Sequence, residues 1–565
     1  MISPLAVLIS LLPFIVAKQV RLDANVHREL LLNGRPQVGL WQSLLREAEN
    51  KAAQDELLTS PSQQPFSKPK FQAHCHEQPI THFSSSPNTT FCQRYWMDAS
   101  SYKEGGPVFL LDGGETSGED RIPFLEKGIL QILSNATGGL AIVLEHRYYG
   151  ESVPVSSFST DNLRFLNNAE AMADSAHFIK TFQPPKELLS HTSALRHNNT
   201  PWIYYGGSYA GARAAHMRVQ YPELVWGAIA SSAVTHAQIV FPEYYDPIQK
   251  YAPEDCISTL QSAITTIDTV LGMPGPVNAA LKALFGLPGL SDADFADTLS
   301  TPLGEFDRGS QLGDDLIGGR AGYWQGKNWD PAVGSDGFQQ FCDALTAGGA
   351  GTKIGLIKIP AEVVNYASYI QAGVVAQCPK SGKSRRDDIQ DCFGSNDDDK
   401  YLVDDLSQTW RLWLFQVCTQ WGYFMPAPLD GPSIVSKYQT LEHTMKICKQ
   451  AYPPGKAFAV PPIPDVEEVN RRGDYGIEYS RLAFIDGDRD PWRPMTPGSD
   501  AAPSRTSSVD KPVHLIFDGV HHYDENGLLD HSLEPTRIRD VHALETSFIL
   551  EWLEQWKEAK EKEYD

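Results

Sequence analysis

The chain has 565 residues and a formal net charge of −22, with 41% hydrophobic and 21% charged residues. This composition is typical of a globular protein, and the length predicts two domains or one domain with a large insertion. So acidic a chain has no basic surface to neutralise phosphates, which argues against nucleic acid as a partner.

The N-terminal stretch MISPLAVLISLLPFIVA, residues 1–17, is an uncharged apolar run. It is too short for a membrane span and contains Pro4 and Pro13, so it predicts a signal peptide cleaved near Ala17. Beyond it, no segment reaches the roughly 18 uninterrupted apolar residues of a membrane helix. We therefore expect a chain that is secreted, or delivered to a vacuole or lysosome, with no membrane contact after cleavage.

Glycosylation sequons and paired cysteines agree with this route. Asn88, Asn135 and Asn198 each begin an N-x-[ST] sequon. An oxidising compartment would join an even set of cysteines in up to four disulfides, of which we single out only the local pair Cys75–Cys92. None of the cysteines has zinc-ligand spacing, so no metal is predicted. The eight are Cys75, Cys92, Cys256, Cys342, Cys378, Cys392, Cys418 and Cys448.

Short apolar runs alternate with helical segments from about residue 105 to 232. PVFLLDGGE, GLAIVLEHRYYG, PWIYYGGS and VWGAIASSA predict buried strands, whereas NAEAMADSAHFIKTF and ARAAHMRVQY predict helices. The same alternation recurs near the C-terminus, where SRLAFIDGD and VHLIFDGVHH predict strands before a final amphipathic helix. Such alternation indicates parallel β-α units and an α/β fold.

Helical periodicity dominates between about residues 236 and 455, as in CISTLQSAITTIDTVLG and DDLSQTWRLWLFQVCTQWGYF. Six of the eight cysteines also lie there. We therefore predict a helical, disulfide-containing cap inserted into an α/β domain. The predicted divisions are a signal peptide (1–17), the first part of the α/β domain (40–235), the cap (236–455) and the second part of the α/β domain (456–560).

Ser208 stands directly between the predicted strand PWIYYGGS and a predicted helix. A strand-to-helix turn with small neighbours, here Gly206 and Ala210, is how an α/β-hydrolase exposes its nucleophile. In that arrangement the Tyr209 N–H and an N–H of the DGGE loop, at Gly114, would stabilise an oxyanion. A G-x-S-x-[GA] match is common by chance, so the assignment needs partners elsewhere in the chain.

The two later predicted strands supply those partners. FIDGDRDPW carries Asp486, Asp488 and Asp490, and LIFDGVHHYD carries His521 and His522. The order Ser, Asp, His is that of the α/β-hydrolase triad, in which histidine takes the serine proton and aspartate orients the histidine. Taken alone, an Asp-Pro pair is typical of a turn and a His-His pair of a surface loop. Together with the Ser208 turn they favour a hydrolase.

Five stretches sharpen this hypothesis: THFSSSPNTTFCQRYW, EHRYYGES, GGSYAGARAA, GDRDPW and GVHH, in this order between about residues 80 and 525. With them the sequence resembles the serine peptidases that include lysosomal Pro-X carboxypeptidase, dipeptidyl peptidase II and fungal acid prolyl endoproteases. The resemblance implies an α/β-hydrolase fold with the cap between the nucleophile and acid strands. It implies Ser208 as nucleophile, Asp490 as acid and His521 as base, with His522 as the alternative base.

The resemblance also implies cleavage after proline at acidic pH, with a proline-containing peptide or protein as partner and an apolar pocket between the two domains. Acyl transfer through a serine ester requires no cofactor. Trp492 and Trp421 are candidates for the pocket wall, although tryptophans are as often core residues. Glu115 could bind a substrate amine or cap a helix.

Three further positions carry expectations. Glu145 and Arg147 in EHRYYGES predict a buried ion pair that organises the loop, with substrate contact as the alternative. Gln420 stands where the family commonly has glutamate, and Ala210 where relatives often have glycine. The first difference could alter recognition of a substrate terminus or the pH profile.

Two alternatives use the same fold: a secreted lipase or carboxylesterase, and a catalytically inactive binding homologue. Exopeptidase and endopeptidase modes both stay open, as do the disulfide connectivity and a homodimer.

Overall fold

This computed structural model describes residues 70–84, 89–186, 188, 195–304, 324–325, 327–330, 334, 336–378 and 380–564. The predicted signal peptide and Asn88 lie outside these residues.

The strands of the described chain are short and mostly buried. They are β1 (His74–Pro79), β2 (Thr90–Asp98), β3 (Val108–Asp112), β4 (Leu140–Leu144), β5 (Trp202–Gly207), β6 (Gly227–Ser231), β7 (Gln238–Val240), β8 (Thr352–Ile354), β9 (Ile357–Ile359), β10 (Gly422–Phe424), β11 (Leu482–Gly487) and β12 (Val513–Ile516).

The α-helices lie between these strands, and the last helix follows β12. They are α1 (Ile122–Glu126), α2 (Ile129–Thr137), α3 (Thr160–Leu163), α4 (Asn168–Thr181), α5 (Ser208–Gln220), α6 (Asp246–Tyr251), α7 (Glu254–Leu271), α8 (Gly275–Leu284), α9 (Asp292–Leu299), α10 (Gly337–Thr346), α11 (Ala361–Gly373), α12 (Arg385–Phe393), α13 (Trp410–Gln416), α14 (Leu441–Ala451), α15 (Glu467–Asn470) and α16 (Thr536–Tyr564). None of the helices in the described ranges is long and apolar enough to cross a bilayer.

One eight-stranded sheet organises the α/β part, in the order β1-β2-β4-β3-β5-β6-β11-β12. The pairs β1–β2 and β2–β4 are antiparallel, and the remaining neighbours are parallel. This order and strand direction confirm the predicted α/β-hydrolase fold. The predicted strands from PVFLLDGGE to VHLIFDGVHH are all members of this sheet.

Helices cover both faces of the sheet. Along β3, Val108 and Leu110 face the core beneath α4 and α5, whereas Phe109 and Leu111 face the core beneath α1, α2 and α16. This alternation follows from the two-residue period of a strand, and burial on both faces explains why the parallel strands read as continuous apolar runs.

The cap is inserted in the chain between two strands that are adjacent in the sheet. β6 and β11 pair in register, with Ala228 opposite Leu482, although the chain between them contains α6 to α15 and the short strands β7 to β10. The helical insertion is therefore confirmed, whereas its boundaries at residues 235 and 455 remain predictions.

Four disulfides join the eight cysteines. Cys75–Cys92 ties β1 to β2 and confirms the predicted local pair. The other three lie within the cap: Cys256–Cys342, Cys378–Cys392 and Cys418–Cys448.

Candidate active site

Ser208 lies at a sharp turn where β5 ends and α5 begins. Its φ angle is +57°, in the left-handed region that non-glycine residues avoid at a cost of about 1–3 kcal/mol. The turn leaves Ser208 partly exposed, while Tyr209 and Ala210 beside it are buried. The structure thus has the geometry of a nucleophile elbow.

Glycines make this turn sterically feasible. A Cβ atom on Gly206 would clash with the backbone carbonyl of Ala210, and one on Gly211 would clash with the carbonyl of Ser231. A Cβ atom on Gly207 would clash with the side chains of Glu525 and His522. The two glycines before the serine and Gly211 after it therefore allow close packing of β5, α5 and the loop after β12.

We expect Gly206→Ala to prevent folding or to lower the melting temperature strongly, because the opposing atom is backbone and cannot rotate away. Thermal unfolding of the purified chain measures this. Ala210→Gly serves as the control, since it adds no atom and costs only about 1 kcal/mol of helix stability. A Gly206→Ala chain as stable as the wild type would contradict the argument.

Three side chains form one hydrogen-bonded row just beyond the carboxyl ends of β5, β11 and β12. His521 Nε2 lies 2.9 Å from Ser208 Oγ, and His521 Nδ1 lies 2.7 Å from Asp490 Oδ2. An ionised carboxylate can only accept, so the proton lies on Nδ1 and Nε2 is left to accept from the serine hydroxyl. This is the arrangement in which an imidazole can deprotonate a serine.

The buried carboxylate of Asp490 is held by its own loop, since Oδ1 accepts a 2.8 Å hydrogen bond from the Trp492 N–H. The other two aspartates of this motif make no hydrogen bond to His521. Burial, with the charge of Asp490 nearby, raises the pKa of Asp486 to about 7. Burial also raises the pKa of Asp488. Asp490 is thus the carboxylate of the row.

The pKa of His521 is lowered, first by burial. The negative charge of Asp490 opposes this effect, and the neighbouring His522 adds to it. A lowered pKa keeps the imidazole neutral and able to accept a proton in mildly acidic solution.

The two predicted oxyanion donors differ in the structure. Tyr209 is in the first turn of α5, where N–H groups have no intrahelical partner and the helix dipole favours negative charge. The Gly114 N–H instead donates a 3.0 Å hydrogen bond to Asp112 Oδ1, and Asp112 is fixed by Arg213 and the Tyr204 hydroxyl. Because this N–H is already engaged, the geometry does not support the prediction that Gly114 donates to an oxyanion.

Aromatic residues of the cap continue directly into the site. The Trp492 ring lies 6.2 Å from the His521 ring and 5.1 Å from that of Tyr423 in β10. The Trp421 ring lies 5.1 Å from the ring of Tyr209, the residue after the nucleophile. The structure therefore brings Trp492 against His521, whereas Trp421 packs on Tyr209 and is fully buried, so its predicted place in the pocket wall is not supported.

Glu115 is partly buried in the loop after β3, and burial raises its pKa. Charges on Arg121 and His522 face it and oppose this increase. The loop thus carries an acidic side chain that interacts with His522, the residue after His521.

The predicted ion pair between Glu145 and Arg147 is wrong in its partners. Glu145 binds Arg94 of β2 through two hydrogen bonds of 2.7 and 2.9 Å, and Arg147 binds Asp174 of α4 at 2.6 and 2.7 Å. Both side chains are buried in ion pairs, but each is neutralised by the element that packs against it. Neither partner is adjacent in sequence.

Gln420 links the cap to the α/β part. Its Oε1 accepts a 3.0 Å hydrogen bond from the N–H of Asn168 at the start of α4. Gln420 lies in a π-helical turn, Val417–Trp421, which directly continues α13. Asn135 and Asn198, the described sequon residues, are exposed, and their glycosylation remains a prediction.

Sequence reasoning missed several side chains of the site. His146 Nε2 lies 2.9 Å from the Tyr209 hydroxyl, which fixes the residue after the nucleophile. Phe241 and Tyr244 extend the aromatic wall at Trp492, with ring distances of 5.4 and 5.9 Å. The motif EHRYYGES contained His146, but nothing in the sequence linked it to position 209.

Comparison with known proteins identifies relatives along most of the chain. The family model of the serine carboxypeptidase S28 family matches residues 78–539. A probable extracellular serine carboxypeptidase of Arthroderma benhamiae is 39% identical over 520 residues, covering 86% of this chain and 68% of the relative. Serine protease vicPa of Bipolaris victoriae is 27% identical over 454 residues (77% and 80%). The thymus-specific serine protease of Mus musculus is 27% identical over 463 residues (79% and 81%).

Proposed function

Because this chain belongs to the serine carboxypeptidase S28 family and is a serine-type peptidase, we propose that it cleaves peptide bonds on the carboxyl side of proline. Ser208 is the nucleophile, His521 the general base and Asp490 the orienting acid. The observation that supports these three catalytic roles is the hydrogen-bonded row from Ser208 Oγ through His521 to Asp490. It is built on a serine with left-handed φ at a strand-to-helix turn.

The reaction proceeds by acyl transfer. His521 Nε2 takes the hydroxyl proton as Ser208 Oγ attacks the carbonyl carbon, and the resulting oxyanion faces the Tyr209 N–H. The C–N bond then breaks, His521 returns the proton to the leaving amine, and the peptide remains as a serine ester. Water repeats the sequence, giving its proton to His521 and releasing the acid and the free Ser208 hydroxyl.

The aromatic wall supports proline as the residue before the cleaved bond. Trp492 is packed against both His521 and the cap, so an apolar ring seated on its indole would lie within reach of the triad. A flat indole suits a compact pyrrolidine ring better than a long or charged side chain.

The proposal includes activity at acidic pH and export of the protein from the cytoplasm. The lowered pKa of His521 supports activity below neutral pH. The Arthroderma benhamiae relative is named as extracellular, which agrees with the predicted signal peptide and with four disulfides. We propose a secreted or vacuolar enzyme.

The test is mass-spectrometric mapping of the products from a proline-containing peptide library, at about pH 4–5 and pH 7, with wild type and Ser208→Ala. We expect cuts after proline that disappear in the variant, because loss of the nucleophile removes roughly 10⁶ in kcat. The distance of each cut from the peptide termini separates carboxypeptidase, dipeptidyl peptidase and endopeptidase modes.

Ser134→Ala is the control, since Ser134 lies in α2 and its hydroxyl donates to the Gln131 carbonyl of the same helix, so the substitution removes a serine hydroxyl outside the proposed triad. Cuts that persist in Ser208→Ala would refute the triad. Cuts after other residues that vanish with Ser208 would refute proline specificity alone. Turnover of acyl esters without any peptide cleavage would favour an esterase.

A further inference from the structure

A second histidine lies against the proposed general base. The rings of His521 and His522 are 4.1 Å apart between centroids and nearly perpendicular, at 78°. His522 Nδ1 lies 2.9 Å from Glu525 Oε2, and both side chains are largely buried. The mechanism above uses neither His522 nor Glu525.

The fold holds this pair in place. His522 has a φ angle of +54°, and its N–H donates a 3.2 Å hydrogen bond to Ser232 Oγ at the end of β6. The pair also packs on Gly207, where a Cβ atom would clash with both side chains. His522 therefore cannot move away from His521 without disturbing the turn that carries Ser208.

The charges around His522 come from three elements. Its own loop supplies Glu525 and Asp524, the loop after β3 supplies Arg121 and Glu115, and α16 supplies Glu545 behind Glu525. Burial lowers the pKa of His522, but the contact with Glu525 outweighs it and leaves that pKa raised. The pKa of Glu525 is lowered despite burial, chiefly by His522.

We propose that His522 and Glu525 together set the acid limit of catalysis: Glu525 keeps His522 protonated, and the cationic His522 ring lies directly against the His521 ring and opposes protonation of the general base. The Glu525 carboxylate acts on His521 in the opposite sense, but it does so from behind His522 and more weakly. The His522 ring is in contact with the His521 ring, whereas Glu525 bonds to Nδ1 of His522 and not to His521. His522 is thus a positioning and charge-bearing residue that acts through His521. This inference rests on the proposed roles of Ser208 and His521.

The consequence is a shift of the working range toward acid. Two adjacent imidazolium ions repel each other in a buried site, so protonation of His521 is postponed to lower pH while His522 carries its proton. Removing that cation moves the onset of activity upward, by about one pH unit for a like charge at this separation.

The experiment measures the rate at which a fluorophosphonate labels Ser208 as a function of pH. This probe needs only the nucleophile and its base, so it does not depend on the peptide specificity. The acid limb is the low-pH range in which the labelling rate falls because His521 becomes protonated. We expect His522→Gln to move this acid limb up by about one pH unit. At any pH well below both apparent pKa values, this corresponds to a labelling rate about tenfold lower in the variant than in the wild type.

His531→Gln is the matched control. His531 forms the same type of contact, with Nδ1 2.8 Å from Glu534 Oε1 three residues later, but it makes no contact with the triad among the described residues. Its substitution should leave the acid limb where it is in the wild type. An unshifted limb in His522→Gln, or an equal shift in both variants, would overturn the proposal. Absence of labelling in the wild type would instead refute the triad itself.

A second measurement needs neither activity nor the His522 variant. In Ser208→Ala with isotopically labelled histidine, NMR titration follows the two rings separately. The proposal requires His522 to keep its proton to a higher pH than His521. The reverse order would overturn it even if His522→Gln fails to fold.

Discussion

Replacing Asp490 by asparagine is expected to lower kcat about 10⁴-fold with little change in fold. Asp490 Oδ2 accepts from His521 Nδ1 and thereby leaves Nε2 free to accept from Ser208. An amide at this position can present its NH₂ group to Nδ1, which places the imidazole proton on Nε2 and blocks the base. The imidazolium formed during attack also loses its counter-charge in a buried site.

Asp488→Asn is the matched control for this change. Asp488 belongs to the same GDRDPW motif and is also largely buried, but it makes no hydrogen bond to His521. Steady-state hydrolysis of a proline peptide by the two variants, together with their melting temperatures, makes the comparison. Equal losses in kcat, or a loss in Asp490→Asn that follows from unfolding, would contradict the role assigned to Asp490.

The second expected result concerns Glu545: the contribution of its carboxyl group to the free energy of unfolding falls as pH rises above about 4, and Glu545→Gln removes this fall. Glu545 in α16 is fully buried, and neither of its carboxyl oxygens accepts a hydrogen bond from a donor among the described residues. Its neighbour is the buried Asp524 carboxyl, which can bond to it only if one of the two is protonated. Burial first, and then Asp524, raise the pKa of Glu545 well above its usual value.

The sign of the effect follows from proton binding. Below about pH 4 the glutamate is protonated in both the folded and the unfolded chain, and it makes no difference to stability. At higher pH the unfolded chain releases the proton while the folded chain retains it. The free energy of unfolding therefore falls by about 1.4 kcal/mol per pH unit until the folded-state pKa is passed.

Chemical denaturation at about pH 4 and pH 7.5 measures this difference. We expect Glu545→Gln to be more stable than the wild type at the higher pH and nearly unchanged at the lower one. Glu551→Gln, an exposed position on the same helix, should follow the wild type at both. A stability gain that is equal at the two pH values would show that packing, and not titration, is responsible.

The buried parallel strands were predictable because burial on both faces leaves continuous apolar runs, as in Val108–Asp112 and Leu482–Gly487. The juxtaposition of Ser208, Asp490 and His521 was predictable on the same grounds, since the carboxyl ends of the parallel strands β5, β11 and β12 lie at one edge of the sheet. Chain order, strand ends and residue type were all readable from the letters.

The antiparallel hairpin of β1 and β2 was not predicted. β1 is an edge strand whose side chains are mostly half-exposed or exposed, HCHEQP, so it has no apolar run to mark it. The same limit applies to charge pairing. Glu145 is neutralised by Arg94 of the neighbouring strand, a partner that only the register between β2 and β4 identifies.

Conformational detail at the oxyanion loop was equally inaccessible. The DGGE segment contains several N–H groups that could donate to an oxyanion. Which of them is already hydrogen-bonded depends on the orientation of Asp112, which Tyr204 and Arg213 fix. The contact between His522 and Glu525 does have a local signature, a spacing of three residues. Its proximity to the proposed base required the packing of the loop on Gly207.

The pairing of β6 with β11 across the inserted cap has a consequence for how the enzyme comes into being. A ribosome produces Ser208 early, but Asp490 and His521 emerge only after the whole cap has been synthesised. Until β11 and β12 join the sheet, Ser208 lacks the base proposed for it, so under the proposed mechanism the nascent chain cannot attack peptide bonds in itself or in the proteins that assist its folding. Under that proposal, the chain order Ser208, Asp490, His521 delays activity until the long-range contacts of the sheet, the slowest to form, are complete.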